Sequence, residues 1–340
     1  EIRADKPNPI ARFLLDEIAF QPARFRIPLK TVNFFRRLGL SKLVAQTGLL
    51  RLLDLPMLEA AETHVEGAPS RFLEEDLAAD PELAWPRKDG QAAPGWFYFA
   101  PCGPNFLLTE VGKATVRNLK RLHGLGAFLH NGCCGLLHYN YGDLYTAREL
   151  ARQLIVKAEA APGGPIVGDC SSCVAHIKTY PQLFIDDPVW MPRAEAFAAR
   201  VRDVIEMYAT LPLPLGEVAR QTAGGREGAT TTYHDSCRAR NGEGIIKQPR
   251  ETMKAVSGPC FKELPEAEWC CGGAGAFSFV HPELSDEVAK RKVGNIASTQ
   301  ASVVVTSSSS CLIQLAGALK KYYPECRVMH LSQLVDQQSE

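Results

Sequence analysis

The sequence predicts an α/β protein in which two pseudo-repeated, cysteine-rich, parallel-sheet domains follow an α-helical amino-terminal segment. The first observation behind this is a recurring plan of thiols. Cys102, Cys133-Cys134-Gly135 and Cys170-Ser171-Ser172-Cys173 are answered by Cys237, Cys270-Cys271-Gly272 and Cys311. The first two members are 31 residues apart in one half and 33 in the other, and the last two are 39 and 40 apart. A chance scatter of cysteines would not keep that register. The second observation is a rhythm of strand-like run, cysteine and helix-like run, the alternation expected of a parallel α/β unit. The third is length, because 340 residues suit two domains of ordinary size, each with its own core.

Taken in order, residues 1–90 read as a helical segment and linker. Phe13, Leu14, Leu15, Ile18, Phe34, Phe35 and Leu38 recur at helical spacing among Arg24, Arg26, Arg36 and Arg37, with Pro22, Pro28 and Pro56 separating short helices. Residues 91–185 form the first cysteine-rich domain. The aromatic run 95–100 reads as a buried strand ending at Cys102, and residues 109–123 read as a helix. Residues 127–129 lead into Cys133, residues 144–160 make a helix, and 165–168 run into Cys170. Residues 186–228 are a connector, with a helix from about Arg193 to Tyr208 and then a Pro- and Gly-rich stretch. Residues 229–340 repeat the rhythm: strand 230–233 before Cys237, helices at 251–256 and 284–298, strand 301–306 before Cys311, and a last helix from Leu312 to about Lys321.

Thirty-eight basic and 38 acidic residues balance, so nothing in the totals favours nucleic acid as a partner. No apolar run reaches the roughly 18 residues of a spanning helix, and no signal peptide is visible, so the expected location is cytoplasmic. The basic amphipathic look of residues 10–55 offers a second placement, peripheral on the inner face of the membrane, against the simpler one of helices packed on this protein or a partner. The chain opens on Glu1 rather than Met, as expected of a processed form or a piece of something longer.

Eleven cysteines admit three accounts. A disulfide framework sits poorly with an odd count, a long chain and adjacent cysteines, which pair with each other only under strain. A zinc-stabilised interaction module needs four ligands per site, and five thiols in the first half overshoot. An iron-sulfur cluster takes several thiolates and belongs in a reducing compartment. In a parallel sheet, the loops at the carboxyl ends of strands converge, and the helices that follow aim N–H groups at the same place. Cys102, Cys133, Cys134, Cys170 and Cys173, and then Cys237, Cys270, Cys271 and Cys311, are therefore the candidate metal ligands. The adjacent pairs can serve one site only from a turn, and Gly135 and Gly272-Gly273 supply it.

The spacing Cys, Cys-Cys-Gly, C-x-x-C resembles the cysteine-rich CCG domain of heterodisulfide reductase. The chain from about Ile10 onward resembles still more the iron-sulfur subunit of glycolate oxidase and its relatives among lactate and anaerobic glycerol-3-phosphate dehydrogenases. The most specific segments are Tyr233-His234-Asp235-Ser236-Cys237, Glu268-Trp269-Cys270-Cys271-Gly272 and residues 290–297. The resemblance implies two CCG domains, cluster binding of the 4Fe-4S kind with a non-cubane form at the five-cysteine site, and electron transfer from a flavoprotein dehydrogenase subunit that oxidises a 2-hydroxy acid such as glycolate or lactate. A ferredoxin-type subunit or a quinone-linked acceptor is a further implied partner. The rival reading taken from the same resemblance is catalytic, with a disulfide reduced at the first cluster. The ferredoxin module that normally opens such a subunit is missing from this sequence, and its cubanes are expected upstream or on a partner.

Ser308 stands where the second half would need the first cysteine of a C-x-x-C, and reads as a small polar filler. Cys260 and Cys326 fall outside the repeat and read as incidental or buried thiols. His130, His138, His176 and His234 lie near the cysteines in sequence and read as supporting or structural residues rather than ligands. Gly272-Gly273-Ala274-Gly275 lacks the spacing of a phosphate loop.

Overall fold

Trp96, Phe97, Tyr98 and Phe99 are buried at all four positions, the pattern of a central strand covered on both faces. The computed structural model of the chain describes residues 22–47, 69–86, 92–161, 163–210, 213, 222–223, 226–227, 229–275 and 277–338. The chain divides into two compact units, residues 1–70 and 71–340.

In the first unit α1 spans Pro22–Arg37 and α2 spans Leu40–Gln46, joined through Gly39 at φ 75°. Pro28 was expected to separate two helices, yet α1 runs through it. The proline ring already holds a helical φ, so the loss is one backbone hydrogen bond and local crowding, and Arg36 and Arg37 favour the carboxyl end of the helix dipole. The helical readings at residues 13–18 and 49–53 lie outside the described residues. Among the described residues no helix is long and apolar enough to cross a membrane.

The second unit opens with α3 (Leu73–Ala79) and a 3-10 turn at Pro81–Leu83. Its first half continues through β1 (Trp96–Phe99), α4 (Cys102–Phe106), α5 (Thr109–His123), β2 (Gly126–Phe128), α6 (Leu136–Asn140) and α7 (Leu144–Glu159). Then come β3 (Ile166–Gly168), α8 (Ser171–Lys178), α9 (Tyr180–Leu183), α10 (Trp190–Arg200), β4 (Val201–Asp203) and α11 (Val204–Ala209). A short antiparallel pair, β5 (Thr222–Ala223) and β6 (Arg226–Glu227), precedes the second half. That half holds β7 (Thr231–Tyr233), α12 (Cys237–Glu243), α13 (Gln248–Ser257), α14 (Phe277–Val280), α15 (Pro282–Ser298), β8 (Val303–Thr306), α16 (Ser309–Tyr322), β9 (Arg327–His330) and α17 (Leu331–Gln337).

All sheet pairings other than β5–β6 are parallel, in the orders β2-β1-β3-β4 and β7-β8-β9. The two sheets share a register. Trp96 pairs with Gly126 in the first, and 135 residues later Thr231 makes a single parallel bridge to Phe261. Among the described residues no strand stands in place of β2, and the bridge is supplemented only by the backbone bonds Lys262 N to the Thr231 carbonyl at 2.8 Å and Asp235 N to the Ala267 carbonyl at 3.1 Å. Pro265 lacks an N–H and Lys262 and Glu263 are polar, so the segment does not extend as a buried strand.

Two elements depart from the sequence reading. The helix expected from Arg193 to Tyr208 is interrupted at Val201, which turns to extended backbone and lets β4 join β3. Asp203 then starts a new helix with a reciprocal cap, its carboxylate accepting from Ile205 N at 2.9 Å while Glu206 accepts from Asp203 N at 2.8 Å. Beyond Tyr322 the structure adds β9 and α17, and His330 caps α17 in the same manner, Nδ1 accepting from Ser332 N at 3.1 Å.

Each half therefore ends in strand, cap and helix, and each last helix packs on the opposite half. α11 lies against α13, and α17 lies against α5. Outer cores belong to each half separately, but the central core mixes Tyr98 and Val167 with Tyr233, Val305, Leu331 and Val335. Ser332 is the polar centre of this seam, 2.8 Å from the Thr115 hydroxyl and 2.9 Å from that of Tyr208, and its carbonyl accepts from Asn118 at 2.8 Å. Asp336, with a side chain 7% exposed, takes both Arg117 and Arg121 of α5. Because the two arginines are half and one-third exposed, Asp336→Ala is expected to cost about 1–2 kcal/mol, read from the shift of a urea midpoint.

A second bridge between the halves is Lys178, whose ammonium lies 2.7 Å from Glu206 and 2.8 Å from Glu243. Burial, reinforced by the neighbouring Asp203 carboxylate, pushes Glu243 up to about 9. A carboxyl raised in the fold contributes stability that is complete below its unfolded value and is lost as pH rises toward the folded one. Glu243→Gln should therefore match the parent near pH 4.5 and exceed it by about 2 kcal/mol at pH 8, seen as a growing difference between the two thermal midpoints.

Candidate functional site

The cysteines sit where strands deliver chain to helix amino ends. Cys102 opens α4 two residues beyond Ala100, whose N–H and carbonyl are both held by Asn131 at 2.7 and 2.8 Å. That one side chain ties the loop after β1 to the loop after β2. Cys133 and Cys134 lie in the turn closed by Gly135 at φ 80°, and Gly135 N reaches the Cys133 sulfur at 3.4 Å. Cys170 caps α8 and Cys173 lies in its first turn.

All five thiols of the first half converge. Cys102 and Cys133 sulfurs are 3.9 Å apart. Cys173 interacts with Cys102, Cys134 and Cys170, and Cys133 with Cys102 and Cys134. Cys134, Cys170 and Cys173 are buried, while Cys102 and Cys133 are half-buried and form the open rim. Five thiols so close cannot all ionise without a cation. The Cys102 and Cys134 thiols, with the Gly135 N–H, hold Cys133 well below the ordinary thiol range. Cys173 and the hydroxyl and N–H of Ser309 bring Cys170 down to about 5. Cys102, Cys134 and Cys173, as the donors, are pushed up. Metal cations placed among them would reverse that and draw off the remaining protons, so the donor set fits a thiolate-rich metal cluster. Around it, Tyr180 donates to the Cys134 carbonyl at 2.7 Å, and Tyr98 donates to Asp169 at 2.8 Å. Burial raises the Asp169 carboxyl to about 7.

The second half gathers fewer sulfurs. Cys271 and Cys311 are buried and close enough to interact, and Cys270 interacts with Cys271 and receives Gly272 N at 3.3 Å. Cys237 opens α12 but is exposed, and of the other thiols Cys270 acts on it through charge alone. His234, unclaimed as a ligand in the sequence reading, does lie here. Its ring nitrogen and the sulfurs of Cys271 and Cys311 fall within 4.8 Å of one another, all three residues buried.

Ser308 does not face that group. Its hydroxyl is 2.9 Å from Ser172 and 4.0 Å from the Cys170 sulfur, both in the first half. The loops interlock further, with Ser171 N and Oγ both 3.1 Å from the Ser307 carbonyl and Gly103 so close to Ser309 that a Cβ there would lie 2.5 Å from its Cβ. The serine run is thus a wall of the first site rather than loop filler. Cys326 is buried in the outer core of the second half and Cys260 lies in the 3-10 turn after α13, so neither joins a thiol group. His176 is buried between the rings of Tyr139 and Tyr180, His130 lies against Phe128, and His138 contacts Asp143 at 3.0 Å. Gly272 at φ 88° is a tight turn packed on Ser285, whose hydroxyl donates to its carbonyl.

Comparison with known proteins finds relatives of the chain. The CCG cysteine-rich domain model matches twice, over residues 96–178 and 231–316. The chain is 28% identical to the "Probable glycolate oxidase iron-sulfur subunit" of Bacillus subtilis, over 98% of the chain and 74% of that protein. It is 33% identical to "Lactate utilization protein A" of an Exiguobacterium species, over 70% of the chain and 96% of that protein, and 30% identical to its namesake in Oceanobacillus iheyensis, over 70% and 95%.

Proposed function

From a chain that belongs to the CCG cysteine-rich family, with the glycolate oxidase iron-sulfur subunit and lactate utilization protein A, we infer an iron-sulfur electron-transfer component of a flavin-dependent 2-hydroxy-acid oxidoreductase. The observation that carries this reading is the convergence of Cys102, Cys133, Cys134, Cys170 and Cys173 on one place. When bound, a centre of this kind takes up and releases single electrons.

The chain's own residues would hold that centre and set its surroundings. Cys134, Cys170 and Cys173 would anchor it at depth, while the half-buried Cys102 and Cys133 face the side from which a flavoprotein partner can approach. The Gly135 N–H and the Ser308 and Ser309 hydroxyls lie beside sulfurs that carry negative charge, and such donors raise a centre's potential. Phe97, Phe99 and Leu129 belong to the same buried cluster as three of these thiols and keep water from that side.

Anaerobic purification, iron and sulfide analysis and reduction by a photoreduced flavin test the assignment. A brown protein that is bleached by reduced flavin is expected. Colourless protein that binds zinc in stoichiometric amount would overturn it in favour of an interaction module, and reduction of a disulfide by the chain with an artificial donor would favour the catalytic reading.

A further inference from the structure

The carboxyl end of β7 carries an imidazole where the carboxyl end of β1 carries a benzyl ring. The bridge between Thr231 and Phe261 repeats that between Trp96 and Gly126 at an offset of 135, which sets His234 against Phe99. Phe99 packs in the buried cluster that holds Cys134, Cys170 and Cys173. His234 is fixed in the corresponding place because its N–H continues the ladder to the Val305 carbonyl at 2.9 Å.

The ring is 1% exposed, and among the described residues neither of its nitrogens makes a hydrogen bond of good geometry, the Ala267 backbone acting on it only weakly. Leaving both nitrogens of a buried imidazole unsatisfied costs on the order of 1–3 kcal/mol for each group. A core position that only needed volume would be filled better by the phenylalanine of the other half. Imidazole is also a common ligand of borderline metals, and the sulfurs of Cys271 and Cys311 lie within the same 4.8 Å. The second half is short of a donor at this point, since Ser308 faces Cys170 and Ser172 and the Cys237 thiol is exposed.

We propose that His234 is a metal ligand of the second site, joining Cys271 and Cys311 in a mixed nitrogen and sulfur set that holds iron. This rests on the iron-sulfur reading of the chain.

The test uses the full chain reconstituted with ferrous iron and sulfide, in a parent labelled with 15N-histidine and in His234→Ala and His234→Cys variants. Pulsed electron paramagnetic resonance of the reduced parent should show nitrogen coupling of histidine isotope pattern on one of two centres. His234→Ala should lose that coupling and release second-site iron to a chelator about 10-fold more readily, while His234→Cys should keep the iron and lose the nitrogen signal. A parent that loads both centres without histidine coupling overturns the assignment and leaves the iron-sulfur reading standing, as does a His234→Ala variant with unchanged spectrum and iron. A parent that takes up neither iron nor sulfide overturns both.

Discussion

Replacing Cys173 by Ser is expected to empty the first site while the second keeps its metal, so that bound iron and sulfide fall to about half of the parent's. Cys173 is chosen because it is the hub of the group, facing Cys102, Cys134 and Cys170 at once, whereas Cys102 and Cys133 stand at the rim. A hydroxyl differs from a thiol by one atom, which leaves the packing of Val174 and Ile177 around it intact. It remains protonated where the thiol would ionise, and a hard alcohol oxygen is a poor substitute for thiolate on iron. Circular dichroism should therefore be unchanged while the visible absorption drops. Cys237→Ser is the contrasting case. That thiol is exposed and outside the group formed by Cys271, Cys311 and His234, so the same one-atom change should alter the metal content of the second site far less.

Much of this site was legible in the cysteine spacing. The register of 31 against 33 and 39 against 40 residues predicts two thiol groups on one plan, and parallel-sheet physics places most of these cysteines near helix amino ends, although Cys270-Cys271 lie in a turn well ahead of Phe277. What the spacing does not carry is direction. Ser308 aligns with Cys170, yet at the seam between the halves the two face each other, so the residue that looks like a lost ligand of one site is a wall of the other. β4 and β9 were hidden for a different reason. A strand of three or four residues between two helices is set by its neighbours in the sheet rather than by a period, and Val201-Arg202-Asp203 has no turn residue to announce it. The crossed packing of α11 and α17 likewise follows from the final arrangement of both halves, not from either sequence alone.

Lys292 shows a signal that was present and is easily misread. It sits in the run Lys290-Arg291-Lys292, which looks like a solvated basic face, but Ala289, Val293 and Ile296 are the buried stripe of α15 and position 292 lies on that stripe. The side chain is fully buried, and its ammonium donates to the carbonyls of Glu266 and Ala267, just ahead of Cys270-Cys271. Burial lowers it to about 8, and the charge of Cys271 opposes that loss. Two consequences follow for Lys292→Met. The two carbonyls lose a buried donor, which should cost about 2 kcal/mol of stability, visible as a lower thermal midpoint in the metal-free and metal-loaded chain alike. A positive charge also disappears beside the second site. At an effective dielectric of about 20, losing a unit charge beside a centre costs it about 1–2 kcal/mol of interaction, which for a one-electron centre moves the reduction potential roughly 40–90 mV more negative. The first centre should move far less, so a redox titration followed by electron paramagnetic resonance separates the two effects. A downward shift of the second centre alone identifies Lys292 as the cation that balances its thiolates, whereas an unchanged potential with a lowered midpoint would reduce it to a buried donor that holds the 266–267 backbone in place.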